Sequence, residues 1–215
     1  MAAQVNLGQM YLDGQAVPRD LDRARELFLD AADAKETAAY TALGWIYRAG
    51  VGVDQNYGTA MEWYLRGANA GNDWAMTNIG EMHKTGKGVP VDPEKAVFWY
   101  TRAAKSGELT AQTRLARMYQ TGDGVPRDYA QAKYWFETAA GRGVPNALTR
   151  LGLMYEDGQG VRENVESAVR LYTRAAREGD AEAFFRLGKM FGDPNLWFYD
   201  PGRAANLLQR AVDLK

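Results

Sequence analysis

Small and apolar residues recur along the chain with a period of 36 residues. We take Gly80 as the anchor of one copy; the equivalent positions in the other copies are Gly8, Gly44, Ala116, Gly152 and Gly188. Alanine stands five residues before each anchor, Leu or Ile one residue before it, and an aromatic residue or histidine three residues after it. This spacing of three to five residues places the apolar positions on one side of a helix. The pattern therefore predicts one amphipathic helix in each copy, named helix A here.

A second helix, helix B, is predicted after a glycine-containing turn. An Asp or Asn opens it in every copy, as expected of an N-cap residue that accepts a hydrogen bond from the first turn; these residues are Asp20, Asn56, Asp92, Asp128, Asn164 and Asp200. Trp63, Trp99 and Trp135 share one apolar position of helix B, which predicts that they lie in the repeat core. The sequence thus predicts an all-α solenoid in one repeat domain, residues 1–215, with repeats at 3–38, 39–74, 75–110, 111–146, 147–182 and 183–215.

The repeated pattern A-x-x-x-L-G-x-x-Y-x-x-G-x-G-V-x-x-D-x-x-x-A-x-x-W-Y-x-x-A-A-x-x-G resembles the Sel1-like repeat, a relative of the tetratricopeptide repeat. The resemblance covers the whole chain, with local departures at Ala16, Lys35, Gly67 and the turn of the sixth repeat. It implies a right-handed α/α superhelical solenoid that serves as an adaptor or scaffold for other proteins. It also implies a second possible role, that of an inhibitor such as an immunity protein that neutralises a secreted bacterial toxin.

Composition narrows the range of partners. A formal net charge of −1 provides no overall basic field, so nucleic acid is not an expected partner. No apolar run reaches the length of about 18 residues needed to span a membrane. Cysteine is absent, which excludes disulfides and thiol catalysis, and no cofactor is expected.

The first repeat begins almost at the first residue, and the chain stops where a closing glycine would stand. Natural solenoids usually carry polar capping segments, so we expect a trimmed or mature chain whose leader was removed. That expectation would suit a bacterial envelope protein, although the sequence assigns no compartment.

Function is expected on the side of helix A that the repeat core does not use. Positions −6, −3, +1, +4 and +5 relative to the anchor lie on that side, and the resemblance implies that they line a concave groove. The candidate partner-binding residues are Trp45, Arg48, Trp74, Glu81, Lys84, Arg117, Gln120, Leu153, Glu156, Asp157, Phe185 and Lys189. The stripe also contains a threonine at position −3 in four repeats: Thr41, Thr77, Thr113 and Thr149.

Two interpretations of this stripe remain open. Trp45 and Trp74 are either packed on the edge of a neighbouring helix or exposed as anchors for a partner, since tryptophan is enriched at binding hot spots. Arg48, Lys84 and Arg117 are either a solvated surface or a basic ladder in the groove, which would then be acidic toward its C-terminal end.

His83 and the turn of the sixth repeat depart from the repeated pattern. His83 is the only histidine and replaces a core tyrosine, so a buried histidine with satisfied hydrogen bonds is expected rather than a metal ligand or catalytic group. In the sixth repeat, Trp197, Phe198 and Tyr199 form either a hydrophobic lid over the last turn or a second docking patch.

The sequence therefore predicts a protein without enzymatic activity that binds another protein through the stripe of helix A. The alternative is a binder of cell-wall glycan or peptidoglycan fragments, with Trp45 and Trp74 as stacking platforms for sugars.

Overall fold

The computed structural model describes residues 2–214, which form twelve α-helices and no β-strand. The A helices of the six repeats are α1 (Ala2–Asp13), α3 (Thr37–Ala49), α5 (Asp73–Thr85), α7 (Leu109–Thr121), α9 (Pro145–Glu156) and α11 (Ala181–Phe191). The B helices are α2 (Leu21–Asp33), α4 (Tyr57–Asn69), α6 (Pro93–Lys105), α8 (Tyr129–Gly141), α10 (Val165–Arg177) and α12 (Pro201–Asp213). The prediction of an all-α repeat fold is confirmed.

Helix B begins where the sequence predicts, because each expected Asp or Asn acts as its N-cap. In α6, for example, the carboxylate of Asp92 accepts a hydrogen bond from the backbone N–H of Lys95 at 2.9 Å. Pro93 follows at the first helical position, where the missing N–H leaves no bond unmade. The same cap is made by Asp20, Asn56, Asp128, Asn164 and Asp200.

The turns between helices use the left-handed backbone conformation, and the first repeat adopts it without glycine. Ala16 has φ 62° and Lys35 has φ 63°, at positions where other repeats place glycine. A left-handed residue with a side chain costs roughly 1–2 kcal/mol, so the repeat geometry is retained in the first repeat at the expense of backbone strain.

The anchor glycine of helix A makes room for a side chain of helix B. A Cβ added at Gly44 would lie 2.5 Å from the Tyr64 ring, and one added at Gly152 would lie 2.6 Å from the Tyr172 ring. Such distances are too short for real carbon contacts, so in the second and fifth repeats the two helices approach this closely only because the anchor has no side chain.

The chain divides into two compact units, Met1–Ala111 and Gln112–Lys215. In the first unit α1 packs on α2, α3 on α4 and α5 on α6, and each hairpin contacts the next through α2 with α3 and α4 with α5. In the second unit α9 packs on α10 and α11 on α12, with contacts between α8 and α9 and between α10 and α11. The expectation of one continuous repeat domain stays a prediction.

The three tryptophans of helix B are not equally buried. Trp135 is buried, as expected. Trp63 and Trp99 are only half-buried, and the guanidinium groups of Arg66 and Arg102 lie 4.4 Å and 5.0 Å from their ring centroids. Trp63 packs against the core cluster of the first hairpins, as predicted, but Trp63 and Trp99 lie at the edge of the core rather than inside it, each with an arginine one turn later over its ring.

Candidate functional site

An apolar cleft of about 470 Å³ lies on the A helices of the first unit. We call it the Trp45 cleft; its walls are Val5, Gln9 and Leu12 of α1, Ala38, Thr41, Ala42 and Trp45 of α3, and Asn72 and Trp74 at the start of α5. Three successive A helices therefore contribute to one concavity, and most of the contributing side chains are apolar.

Trp45 and Trp74 combine the two interpretations that the sequence left open. Trp45 is half-buried and packs against the core cluster that contains Leu43 and Ile46. Trp74 is 42% exposed, and the edge of its ring meets the Tyr64 ring at a centroid distance of 6.5 Å. Each tryptophan thus rests on the repeat core with part of its ring and lines the cleft with another part.

The threonines at position −3 are not part of an open surface, contrary to the stripe expected from the sequence. Thr41, Thr77, Thr113 and Thr149 are all buried. The hydroxyl of Thr149 donates to the carboxylate of Asp180 at 3.1 Å, and Asp180 is the N-cap of the next A helix, α11. Thr77 makes the equivalent bond to Glu108 at 3.1 Å, so at these two positions the threonine connects one repeat to the next.

Two carboxylates of the stripe are engaged inside their own repeats. The hydroxyl of Tyr100 donates to Glu81 at 2.7 Å, and the hydroxyl of Tyr172 donates to Glu156. Burial and the Glu156 carboxylate both raise the pKa of Tyr172. Glu81 and Glu156 therefore act as hydrogen-bond acceptors for buried hydroxyl groups. Their positions along helix A did not predict this structural role.

The remaining polar candidates of the second unit differ in exposure. Arg117 and Asp157 are exposed, whereas Gln120 is half-buried. The amide of Gln120 donates to Gln159 at 2.8 Å, and the amide of Gln159 donates to Asp157 at 3.2 Å. Arg117 thus remains a surface charge, while Gln120 and Asp157 join a small amide network.

Arg48 and Lys84, the other members of the expected basic ladder, occupy position +4 of α3 and α5 in the first unit and are half-buried. The Nε of Arg48 and the hydroxyl of Tyr64 are both buried and have no hydrogen-bond partner. Burial raises the pKa of Tyr64 to about 12, against the opposing effect of the nearby Arg48 guanidinium.

Among the apolar candidates of the second unit, Leu153 was expected to be available to a partner but is only 9% exposed. That expectation was wrong because α9 contacts both α8 and α10, which leaves little of its surface open. Phe185 is 39% exposed, and the Nζ of Lys189 lies 6.0 Å from its ring centroid.

The aromatic residues of the sixth repeat divide between the two expected roles. Phe198 packs edge-on against Phe191 at a centroid distance of 5.2 Å, as a lid over the end of α11 would. Trp197 packs on Phe198 but remains 79% exposed, and Tyr199 is 49% exposed. A cavity of about 370 Å³ lies beside them, lined in part by Arg170 and Arg203.

His83 is half-buried rather than fully enclosed, and its Nδ1 has no hydrogen-bond partner. Burial and the neighbouring Lys95 lower its pKa. The expected satisfied core histidine is therefore not observed. Within residues 2–214, no group of three or more His, Asp or Glu side chains has the geometry to hold a metal ion.

The repeated pattern contains the tyrosines at position +20 from the anchor, but the sequence analysis did not predict the role of their hydroxyl groups. Tyr64, Tyr100 and Tyr172 are fully buried, and two of them pair with a glutamate at +1 or +4 of their own repeat. The signal was present, because Glu81 and Glu156 fall in repeats that carry this tyrosine. The small residues Ala38 and Ala42 were also overlooked, although they shape one wall of the cleft.

No helix in the described part of the chain is long and apolar enough to cross a membrane. The Sel1 repeat model matches six segments, residues 2–35, 37–72, 75–108, 109–144, 145–180 and 181–215. No curated protein sequence shows significant similarity to the chain. Sel1 repeat proteins mediate protein–protein interactions, and the family is generally non-catalytic.

Solved structures show the same fold. A Sel1 repeat protein from Oxalobacter formigenes is 30% identical with a TM-score of 0.92, over 100% of this chain and 88% of that protein. The protective antigen c5321 of uropathogenic Escherichia coli is 29% identical with a TM-score of 0.87, over 99% of this chain but only 46% of that longer protein. The immunity protein Pa5087 from Pseudomonas aeruginosa is 19% identical with a TM-score of 0.61, over 99% of this chain and 81% of that protein. The repeat matches and these likenesses agree with the helix pattern, and the chain belongs to the Sel1 repeat family.

Proposed function

We propose that the chain is a non-catalytic protein-binding module and that the Trp45 cleft receives apolar side chains of a protein partner. The observation that carries the proposal is the cleft itself, of about 470 Å³ and walled by three successive A helices. Its volume falls in the range of recognised binding pockets, about 300–1,000 Å³, and its walls are largely apolar with a few polar groups.

The walls favour a protein side chain over a sugar. A sugar-binding site needs an open aromatic face beside hydrogen-bonding groups. Trp74 is exposed, but Trp45 is half-buried, and its neighbours Val5, Leu12 and Ala42 are apolar. An aliphatic or aromatic side chain would remove this surface from water without leaving polar groups unpaired. The cell-wall alternative therefore has less support than a protein partner.

Two biological roles are consistent with protein binding through the cleft. One is a scaffold or adaptor that holds partners together, and the other is an inhibitor such as an immunity protein. The fold shared with the immunity protein Pa5087 makes the second role compatible with the architecture, although at 19% identity the likeness extends to the fold alone.

Site-specific photocrosslinking in the native host tests the proposal. A benzophenone amino acid replaces Ala38, which is exposed and lines the cleft, and a control replaces Glu62, which is exposed on helix α4. We expect adducts at position 38 in which mass spectrometry identifies peptides of a second protein, and we expect none at position 62. Adding Trp45→Ala should weaken binding of the crosslinked protein by about 30-fold, the loss typical of a hot-spot residue.

Two further variants test whether the adducts depend on the cleft. Trp197→Ala removes an exposed tryptophan outside the cleft and should leave the adducts unchanged. Ala38→Arg should block the cleft from an exposed position without opening a cavity in the core. Adducts that lose mass on treatment with glycan hydrolases and contain no peptides of a second protein would indicate the cell-wall alternative. Adducts insensitive to both cleft variants would rule out the cleft.

A further inference from the structure

Three repeats bury a tyrosine at position +20 beneath the anchor glycine of helix A. The residues are Tyr64, Tyr100 and Tyr172, and each has no exposed surface. In the third repeat the hydroxyl donates a hydrogen bond to Glu81 at position +1 of helix A, and in the fifth repeat it donates to Glu156 at position +4. A carboxylate is thus the group that two repeats supply to the buried hydroxyl.

The second repeat has the tyrosine but lacks the carboxylate. Its positions +1 and +4 hold Trp45 and Arg48, and a guanidinium has only donors to offer. The hydroxyl of Tyr64 and the Nε of Arg48 are buried without a hydrogen-bond partner. Buried donors without an acceptor oppose folding, and most buried polar groups are paired, so this pair is an exception.

The unpaired donors adjoin the Trp45 cleft. Arg48 follows Trp45 by three residues on α3, which places the two side chains side by side on the helix surface. The Tyr64 ring contacts the Trp74 ring, which lines the cleft from the other side. Arg48 and Tyr64 are therefore neighbours of the cleft-lining residues Trp45 and Trp74 and lie behind them rather than on the cleft surface.

We propose that a carboxylate of the bound protein, from an Asp or Glu side chain, binds the half-buried Arg48 and, as the Arg48 side chain shifts, reaches the Tyr64 hydroxyl that is closed to solvent in the free chain. The carboxylate would then take the place that Glu81 and Glu156 occupy in the third and fifth repeats. The proposal rests on the protein-binding function of the cleft and specifies its ligand, a segment with an acidic residue next to a large apolar residue. A guanidinium and a hydroxyl together supply donors to both carboxylate oxygens, and such charge-assisted bonds are the stronger kind.

Selection from a library of random 12-residue peptides displayed on phage tests this ligand. The complete chain is the bait, beside the variants Trp45→Ala, Arg48→Gln and Arg66→Gln. We expect peptides that depend on Trp45 to carry Asp or Glu within about four residues of a large apolar residue. Replacing that Glu by Gln in a synthetic copy should weaken binding about 10- to 100-fold to the unmodified chain.

The arginine variants separate this effect from a general loss of charge. Arg48→Gln should abolish the difference between the Glu and Gln peptides, whereas Arg66→Gln, which removes an arginine that lies over Trp63 on helix α4, should preserve it. Arg48→Glu should recreate the internal pair of the fifth repeat. We expect that variant to lose the acidic preference and to melt about 2–4 °C higher than Arg48→Gln.

The outcomes distinguish this inference from the proposed function. Peptides that depend on Trp45 but show no acidic preference, or a preference that survives Arg48→Gln, would overturn the carboxylate site and leave the cleft as a binding site. A melting temperature of Arg48→Glu below that of Arg48→Gln would also overturn it. If no selected peptide depends on Trp45, both the cleft function and the carboxylate site fail.

Discussion

At the scale of single residues, the repeats differ in whether a charged side chain accepts a hydrogen bond from the buried tyrosine hydroxyl. Glu81 and Glu156 each accept a hydrogen bond from a tyrosine of their own repeat, while Tyr64 has no acceptor. A buried hydroxyl with a charged acceptor stabilises the fold, and one without an acceptor opposes it. The tyrosine hydroxyl at the same repeat position therefore stabilises the fold in the third and fifth repeats and destabilises it in the second.

Removing the hydroxyl should reveal this difference. Tyr100→Phe should lower the free energy of unfolding by about 1.5–3 kcal/mol, because it removes the charge-assisted hydrogen bond between Tyr100 and Glu81. Tyr64→Phe should be neutral or raise stability by up to about 1 kcal/mol, since it deletes an unsatisfied buried group. Urea denaturation of both variants at neutral pH measures the effect; equal losses would contradict the absence of an acceptor at Tyr64.

Stability at high pH should depend on the same residue. The pKa of Tyr64 rises from 10.0 to about 12 in the folded protein because burial disfavours the phenolate. A raised pKa contributes stability that is fully present below the unfolded pKa of 10.0 and is lost as the pH rises toward 12. We expect the wild type to lose about 2 kcal/mol relative to Tyr64→Phe between pH of about 8 and about 11.5. Parallel denaturation curves of the two proteins would contradict this expectation.

The sequence predicted the positions of the candidate residues better than their environment. Trp45, Trp74 and Arg48 lie in or beside the cleft, because helical periodicity places them on the side that the core leaves free. The same periodicity does not show that Thr149 bonds to the next repeat or that Glu156 meets Tyr172. Those contacts join different helices, so a pattern read along one helix cannot reveal them.

At the scale of helices, the two kinds of helix differ in how they begin. Every B helix follows an Asp or Asn N-cap, and this residue type predicted the start of each B helix correctly. The A helices begin at residues of several types, among them Glu36, Asn72, Val144 and Asp180. Only some of these have a side chain that caps the helix, so no single residue type marks the start of helix A in the sequence.

Asp180 should matter more than an ordinary cap. It accepts a bond from the backbone N–H of Ala183 and another from the hydroxyl of Thr149 in the preceding repeat. Asp180→Ala should cost about 2 kcal/mol, the sum of a lost cap and a buried hydroxyl left unpaired. Asp200→Ala, which removes a cap of α12, should cost about 1 kcal/mol.

A double variant isolates the connection between repeats. In a chain that carries Thr149→Val, the further change Asp180→Ala should cost only about 1 kcal/mol, because no hydroxyl then loses its acceptor. Chemical denaturation measures each step of this cycle. Strict additivity of the two changes would show that the bond between Thr149 and Asp180 contributes nothing to stability.

At the scale of the whole molecule, the uninterrupted period of 36 residues predicted the number and order of helices. Local contacts explain this success, since within each unit a hairpin packs mainly on its immediate neighbours. The two compact units could not be predicted, because every repeat has the same core pattern on both sides of the boundary.

Deleting one whole repeat tests how local the architecture is. Removal of residues 147–182 joins Asn146 to Ala183, which occupies the repeat position of Ala147, so the helix register is preserved. We expect the shortened chain to keep its helicity per residue by circular dichroism and to unfold cooperatively. Removal of residues 165–182 alone, which takes away α10 and leaves α9 without its hairpin partner, should cause a large loss of helicity.

The strained turns of the first repeat have a consequence for the cleft. Ala16 and Lys35 hold left-handed conformations at either end of α2, and α1, the other helix of that hairpin, forms one wall of the Trp45 cleft. Strain lowers the free energy needed to open a hairpin locally, so backbone amides of α1 and α2 should exchange with deuterium faster than those of α3 and α4. A ligand that presses on this wall would resist the opening, and slower exchange in the first hairpin would then serve as a label-free reporter of occupancy.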